Sequence, residues 1–231
     1  MKYSLIIPCY NEAKNLPLLL ARCELLSSSD FEVIIVDNGS TDETADVLID
    51  LLPSYPGCSS IRVPVNMGYG YGIVEGLKCA RGSIIGWTHA DLQTDPCDAL
   101  RAVKIFEAHG TDLFVKGRRY GRPYLDVIFT VAMSIFETVL LRRRMSDINA
   151  QPTMFSREFF LSWAYPPADF SLDLYAYYLG KEKGLKEKRF AVKFGERAHG
   201  ASHWNVDWKS KMKFIRRTVD FSLQLRKRIK P

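Results

Sequence analysis

Apolar runs and helical repeats alternate along the first half of the chain. Almost continuously apolar runs lie at Tyr3 to Pro8 and at Phe31 to Val36, the pattern of parallel strands that are covered on both faces. Between these runs, apolar residues recur at the spacing of a helix, at Leu16, Leu19, Leu20, Cys23 and Leu26. This order predicts a β-α-β unit.

The same alternation continues to about residue 110. A turn-rich loop at 37–42 leads into a helix through the capping box Ser40-x-x-Glu43, and a third strand is predicted near 61–63. A further helix opens at 66–72, and a fourth strand covers 84–87. Four β-α repeats predict an α/β fold with an open, mostly parallel, Rossmann-like sheet that is flanked by helices. Later strands are predicted at 113–116 and 188–194, and later helices at 125–141 and 171–183.

Polar and glycine-rich segments follow each of the first four predicted strands. They cover residues 9–12, 37–42, 66–72 and 89–93. Because ligands bind beyond the carboxyl ends of strands in such sheets, we expect these loops to converge on one cleft. The glycines at 68, 70 and 72 form neither GxGxxG nor a Walker A motif, which argues against a dinucleotide-binding or P-loop protein.

The turn after the fourth predicted strand carries candidate metal chemistry. The stretch 84–96 reads IIGWTHADLQTDP, a strand that ends in His89, Asp91 and Gln93. Oxygen ligands in an open cleft suit Mg²⁺ or Mn²⁺, which keeps positions free for substrate phosphates. The alternative interpretation is a solvated strand end that caps a helix at Asp95.

Charge is concentrated at the C-terminus. Residues 207–231 carry nine Lys or Arg against two Asp, a net charge of +7 in a chain whose total is +6. A basic excess on one terminal segment indicates a docking surface, and we expect no nucleic-acid partner because such domains spread basic charge across the fold. The five cysteines are odd in number and lack metal-binding spacing, which is typical of reduced cytosolic thiols.

Two later segments have amphipathic character. Residues 125–141 are strongly apolar but contain Asp126 and Glu137, which favours a helix on the core or at a membrane surface over a membrane span. The segment 206–231 is predicted to be a basic amphipathic helix, peripheral on the anionic cytoplasmic face of a membrane. A helix packed on the domain is the alternative. The predicted apolar stripe of this helix consists of Trp208, Met212, Ile215, Val219 and Leu223.

Four motifs in order resemble a known family. PCYNEAKNLP, VDNGSTDET, NMGYGYGIVEGL and HADLQTDP are similar to the signatures of family 2 glycosyltransferases of the GT-A fold, and in particular to the branch of dolichol-phosphate mannosyltransferase and related polyprenyl-phosphate sugar transferases. The resemblance covers about residues 3–205. It implies a GT-A domain at 1–205, with a nucleotide-sugar-binding half at 1–110 and an acceptor half at 111–205.

The resemblance also implies a donor site for a UDP- or GDP-linked sugar. The residues that would form it are Pro8, Tyr10, Glu12, Asp37, Gly39, Gly68, His89, Ala90 and Asp91. A divalent metal cofactor, Mg²⁺ or Mn²⁺, would be held by Asp91 and Gln93, with His89 as a third ligand. The family usually has Asp-Ala-Asp in this turn, whereas this chain has His89 at the first position. An imidazole lacks the carboxylate's charge, so the role of His89 is open between metal ligand and donor contact.

The same resemblance assigns the acceptor side. Arg119 matches the arginine of a Gly-Ser-Arg turn, and Arg118 stands where serine is usual. With Arg197 and Ser202 of a late basic loop, these residues would bind an acceptor phosphate. Asp147 lies in the acceptor-site turn, and the catalytic residues are therefore expected to be Asp91, Asp147, Arg119 and Arg197.

The chain is therefore expected to be an inverting glycosyltransferase of the hexosyltransferase type. It would move a sugar to a polyprenyl, dolichyl-type phosphate at the cytoplasmic membrane surface. One alternative is transfer to a saccharide hydroxyl in cell-surface polysaccharide synthesis, in which Asp147 would take the proton. Another is a catalytically silent GT-A binding module. The sequence specifies neither the sugar nor the nucleotide base.

Overall fold

A computed structural model describes residues 1–198 and 208–229. The strands are β1 (Tyr3–Cys9), β2 (Phe31–Asn38), β3 (Cys58–Val63), β4 (Ile84–Trp87), β5 (Leu113–Tyr120), β6 (Thr153–Ser156) and β7 (Lys186–Lys193). The helices are α1 (Leu16–Glu24), α2 (Thr44–Leu51), α3 (Tyr69–Cys79), α4 (Ala99–His109), α5 (Tyr124–Leu141), α6 (Arg157–Leu161), α7 (Leu172–Glu182) and α8 (Trp208–Ile229).

The seven strands form one mixed sheet in the order β3-β2-β1-β4-β6-β5-β7. β1 pairs in parallel with β2 and β4, and β3 with β2, as the alternation predicts. The exception is β6, which runs antiparallel to both β4 and β5. Its four residues are too few to give a periodic signal, so it was not among the predicted strands. The fold is of the predicted α/β class, with an open, mostly parallel sheet that is flanked by helices.

Both faces of the sheet are covered by apolar side chains. On β1, Ile6 packs on one face with residues of α3 and α7, whereas Leu5 and Ile7 pack on the other with residues of α1 and α4. Because successive strand residues point to opposite faces, burial of both requires a continuous apolar run. This explains the sequence pattern, and it leaves the strand ends as the polar part of the sheet.

The C-terminal helix α8 packs against α5. The hydroxyl of Ser222 donates a hydrogen bond to Glu137 Oε1 at 2.7 Å, and Leu225 is buried in the core. Two residues of the predicted stripe, Met212 and Leu223, are instead 45% and 43% exposed. The packed-helix alternative is therefore the one that the geometry supports for this end of α8.

Burial gives Glu137 an unusual titration. Its side chain is buried, Oε2 has no hydrogen-bond partner among the described residues, and burial raises the pKa of Glu137 to about 7. The folded state therefore holds a proton that the unfolded chain releases at lower pH. Stability from this group is present below the unfolded pKa and is lost as the pH rises through about 7.

We predict that Glu137→Gln raises the free energy of unfolding at pH 8 by about 2 kcal/mol, since a neutral amide avoids the buried charge. The gain should shrink toward zero at pH 4. Urea unfolding at several pH values measures it, with the exposed Glu158→Gln as the matched control. An equal gain at both pH values would show that Glu137 does not titrate in this range.

Candidate active site at the carboxyl edge of the sheet

The loops after β1 and β2 are tied together by hydrogen bonds. The backbone N–H of Asn11 donates to Ser40 Oγ at 3.0 Å, and that of Glu12 donates to Thr44 Oγ1 at 2.9 Å. Asn11 Oδ1 in turn accepts from the backbone N–H of Thr41 at 2.8 Å. These bonds bring the segment that carries Pro8, Tyr10 and Glu12 next to the end of β2. The ring of Tyr10 is exposed at this edge.

Asp37 lies buried at the end of β2 with one oxygen only partly satisfied. Its Oδ1 accepts from the backbone N–H of Ser40 at 2.9 Å. Its Oδ2 lies 3.4 Å from Arg62 Nε and has no hydrogen bond within the described residues. A buried acceptor of this kind can receive a hydroxyl or amide donor from a ligand. The sequence analysis did not include Arg62, because an arginine on a short predicted strand carries no motif.

Gly39 and Gly68 permit close approaches of the backbone. Both have positive φ, 70° at Gly39 and 115° at Gly68. A Cβ on Gly39 would lie 2.5 Å from Asn66 N, and one on Gly68 would lie 2.4 Å from Ala168 O. The start of α3 thus packs closely against the 167–170 loop at Gly68. In the same place the rings of Phe170 and Tyr69 stack, with centroids 4.5 Å apart.

The turn after β4 brings two of the predicted catalytic residues together. Asp91 is buried, its Oδ1 accepts from Gln93 N at 3.1 Å, and its Oδ2 lies 3.0 Å from Arg197 Nη2. Gln93 also exchanges hydrogen bonds with Gly195, whose N–H donates to Gln93 O at 2.8 Å. The loop after β7 is thereby fixed on this turn.

Burial raises the pKa of Glu12, Asp91 adds to the effect, and Arg197 opposes it.

The side chains of the turn fit a metal ion that is also bound by a substrate better than one that is held by protein ligands alone. Within residues 1–198 and the described part of α8, no three His, Cys, Asp or Glu side chains group as a metal site. Mg²⁺ bound together with substrate phosphates needs only one or two protein carboxylates. Asp91 can supply one, so the residues present fit an ion whose remaining ligands come from a substrate.

His89 is half-buried beside Tyr69, with ring centroids 5.7 Å apart, and Ala90 next to it is buried. Burial lowers the pKa of His89, while Asp91 and Asp173 act in the opposite direction and Arg119 and Arg197 add to the lowering. The imidazole is therefore neutral at pH 7. Arg119, within β5, and Arg197, after β7, thus both contribute to the lowered pKa of this imidazole.

A buried polar cluster lies behind the turn. Gln151 Nε2 donates to Asp173 Oδ1 at 2.6 Å, and Lys116 Nζ donates to Thr153 Oγ1 at 2.7 Å. Burial raises the pKa of Asp173 and lowers that of Lys116 to about 7. The sequence analysis missed Lys116 and Asp173. The available signal was a charge next to apolar residues, after LFV in β5 and within LDLYAYYL in α7.

Asp147 is bound by arginines. It accepts from Arg119 N at 2.8 Å and from Arg119 Nε at 2.9 Å, and Arg122 Nη2 lies 3.7 Å away. Burial raises the pKa of Asp147, but Arg119 and Arg122 outweigh it, and the net pKa is lowered. A carboxylate held in this way is a poor proton acceptor. Arg119 and Arg122 thus occupy the carboxylate that the sequence analysis names as the base for a saccharide hydroxyl acceptor.

The other predicted acceptor residues are not all brought to this cluster. Arg118 is exposed, and strand alternation directs its side chain to the face of β5 opposite to that of Arg119. Ser202 lies outside the described residues. Among the predicted acceptor residues, Arg119 is the one that the structure joins to Asp147.

The model of the family described as "Glycosyl transferase family 2" matches residues 4–160. Over 108 residues the chain is 40% identical to the undecaprenyl-phosphate 4-deoxy-4-formamido-L-arabinose transferase of Enterobacter sp. (strain 638), which covers 44% of this chain and 32% of the relative. It is 36% identical over 96 residues to the dolichyl-phosphate beta-glucosyltransferase ALG5A of Trichomonas vaginalis, covering 38% and 30% of the two chains. The matched segment thus spans about a third of each curated relative.

Solved structures share the fold at low identity. Glucosyl-3-phosphoglycerate synthase from Mycobacterium tuberculosis, crystallised with Mn²⁺, UDP and phosphoglyceric acid, matches with a TM-score of 0.72 and 19% identity over 97% of this chain and 78% of that one. S. aureus TarS matches with a TM-score of 0.64 and 20% identity over 84% and 60%. These similarities establish a common architecture.

We predict that Gly68→Ala destabilises the fold more than Gly110→Ala does. Both positions have positive φ, which costs alanine about 1 kcal/mol, but a Cβ at Gly110 meets nothing within 4 Å. At Gly68 it must displace the Ala168 carbonyl, and we expect a total loss of about 3 kcal/mol. Urea unfolding of both variants measures the difference. Equal losses would mean that the 167–170 loop moves aside without cost.

Proposed function

The chain belongs to glycosyl transferase family 2, and on this basis we propose that it transfers a sugar from a nucleotide-diphosphate sugar to a polyprenyl phosphate at the cytoplasmic face of a membrane. The observation that carries the proposal is the contact of Arg197 Nη2 with Asp91 Oδ2, at 3.0 Å, in the turn after β4. A second guanidinium group, that of Arg119, is held by Asp147 and helps to lower the pKa of His89 in the same turn. Guanidinium forks suit phosphate oxygens, and both the donor and the acceptor of this reaction carry them. The names of the relatives support the polyprenyl phosphate acceptor.

The donor half of the site would bind a UDP- or GDP-linked sugar. Tyr10, whose ring is exposed, and the buried carboxylate of Asp37 would bind the base and ribose, and Asp91 would hold a divalent ion with Gln93 and His89. When bound, Mg²⁺ or Mn²⁺ supplies positive charge to the departing diphosphate. Arg197, already paired with Asp91 Oδ2, can donate to the same diphosphate oxygens where charge develops in the transition state. The Mn²⁺ and UDP in the mycobacterial synthase support this assignment.

The acceptor half would orient a phosphate for in-line attack. An oxygen of the polyprenyl phosphate bonds to the anomeric carbon as the bond from that carbon to the diphosphate breaks, with inversion. This oxygen is already anionic at neutral pH and needs no base. Arg119, held by Asp147, would fix the phosphate, with Arg197 as a further donor.

A saccharide hydroxyl acceptor is the second candidate, and it needs a proton acceptor. Asp147 is occupied by arginines, and Asp173 is buried and accepts a hydrogen bond from Gln151. The low basicity of Asp147 therefore favours the phosphate acceptor. Incubation of the pure protein with UDP- and GDP-sugars, using polyprenyl phosphate and soluble saccharides in parallel, tests both candidates. Transfer to the saccharide alone would reject the proposal, and no donor cleavage at all would indicate a silent binding module.

We predict that Asp91→Ala lowers the transfer rate by about a hundredfold to a thousandfold, because it removes both the carboxylate ligand and the partner of Arg197. Metal-dependent binding of the nucleotide should also be lost while the protein stays folded. Transfer assays and calorimetry with UDP at several Mn²⁺ concentrations measure this. Asp98→Ala, which removes a carboxylate paired with Arg101, is the control and should retain activity. Normal metal dependence in Asp91→Ala would remove this residue from the site.

His89→Asp separates the two roles of the histidine. If His89 stands in for a metal-binding carboxylate, this variant should bind Mg²⁺ more tightly, by roughly tenfold, because oxygen ligands suit Mg²⁺ better than imidazole. If His89 contacts the donor, nucleotide-sugar affinity at saturating metal should fall instead. Separate calorimetric titrations of metal and donor distinguish these results, and His109→Asp on α4 controls for the added charge. A variant unchanged in both titrations would assign His89 neither role.

A further inference from the structure

The outward face of α5 is an exposed apolar stripe. The helix has 18 residues, a mean hydropathy of 1.8, and only 17% of it is buried. Its apolar side chains repeat at spacings of three and four residues and are 46% to 77% exposed. We call this set the α5 stripe: Tyr124, Leu125, Ile128, Val131, Ile135 and Val139. Contiguous exposed apolar surface of this kind marks a site of interaction.

The opposite face of α5 is fastened to the arginine–aspartate cluster. Asp147 N donates to Ser134 Oγ at 3.2 Å, and Arg122 Nη1 donates to Thr130 Oγ1 at 2.9 Å. One turn further, Thr138 Oγ1 accepts from Met145 N at 3.0 Å. A helix bonded to the domain along its length cannot leave it to cross a bilayer. It can only present its outer face.

The acidic residues of α5 lie off the stripe. Glu137 is buried against α8, and Asp126 is half-buried in the first turn. The two charges that weaken the case for a membrane span therefore do not oppose contact with lipid.

Basic residues border the α5 stripe. Arg142 and Arg226 line the same groove as Phe136 and Val139, where α8 meets α5. Arg144 is exposed just beyond the C-terminus of the helix, whereas Arg143 is paired with Glu182. An apolar helix face edged by cations is complementary to an anionic lipid surface, in which the apolar side chains enter the acyl boundary and the cations meet headgroups.

We propose that the α5 stripe lies flat in the headgroup region of an anionic bilayer and thereby sets the cluster of Arg119, Asp147 and Arg122 at the level of the lipid phosphates. A helix is about 10 Å across, so groups on its inner face stand within about that distance of the boundary. A phosphate whose polyprenyl chain stays in the bilayer could then reach Arg119. This last step rests on the proposed function, whereas the docking itself does not.

Co-sedimentation with vesicles tests the docking. The probes are vesicles of phosphatidylcholine mixed with phosphatidylglycerol and vesicles of phosphatidylcholine alone, each at low and high salt. The test variant combines Val131→Ser, Ile135→Ser and Val139→Ser. The matched control combines Leu25→Ser, Ile49→Ser and Leu161→Ser, which are 61%, 70% and 67% exposed on other helices or their ends.

We expect the wild type and the control to bind the anionic vesicles, more weakly as salt rises, and the test variant to bind roughly tenfold to a hundredfold more weakly. Equal binding by the test variant, or no binding by the wild type, would overturn the proposal. A wild-type dimer that the test variant dissociates would identify a second copy of the chain as the occupant and also overturn it. Should the triple variant unfold, Val139→Ser alone, at a site 74% exposed, replaces it.

Transfer assays separate this proposal from the proposed function. With a short, water-soluble isoprenyl phosphate, the test variant should react as fast as the wild type, whereas with polyprenyl phosphate in vesicles it should be at least tenfold slower. If the wild type transfers sugar to neither acceptor, the proposed function fails while the vesicle result still decides the docking. If the variant loses both activities equally while folded, the stripe acts on catalysis and the docking proposal fails.

Discussion

The parallel pairing of β1 with both β2 and β4 is the constraint on which the site depends. The register sets Cys9 opposite Asp37, and the bond from Thr88 N to Ile6 O, at 3.0 Å, carries β4 out beside the same end of β1. Three loops therefore start at one edge with little freedom in their separation. Two hydrogen bonds across the loops then fix the side chains that line the cleft. Asn11 N donates to Ser40 Oγ, and Gly195 N donates to Gln93 O.

Two buried ionisable groups of the domain, Lys116 and Glu137, are tolerated because burial moves them toward neutrality. Transfer of an isolated ion into the core costs far more than a hydrogen bond returns, and a group avoids this cost by changing its protonation state. Burial lowers the pKa of Lys116 to about 7 and raises the pKa of Glu137 to about 7, and both side chains have a hydroxyl partner. Asp147 stays ionised instead, because the guanidinium groups of Arg119 and Arg122 lower its pKa.

The sequence predicted the helices and strands whose apolar pattern is set by burial. It did not predict contacts between side chains that are distant along the chain. The doubly covered strands β1 and β2 gave unbroken apolar runs, and their ends gave the correct edge for the cleft. By contrast, nothing local in the sequence states that Arg197 lies on Asp91 or that two arginines neutralise Asp147. The tail shows the same limit. Its net charge is visible in the composition. The burial of Ser222 and Leu225, however, follows from the position of α5, and neither residue belongs to the predicted stripe.

His89, in the turn after β4, also avoids a buried charge by being neutral. Glu12, Asp91 and Asp173 all act on this part of the cleft, and burial raises the pKa of both Glu12 and Asp173. A fourth carboxylate at position 89 would add like charge that Arg197 or a bound cation would have to offset. A neutral imidazole avoids this repulsion. Under the proposed function, the protein then provides less negative charge to hold a metal, and a larger share of the diphosphate charge falls to Arg197.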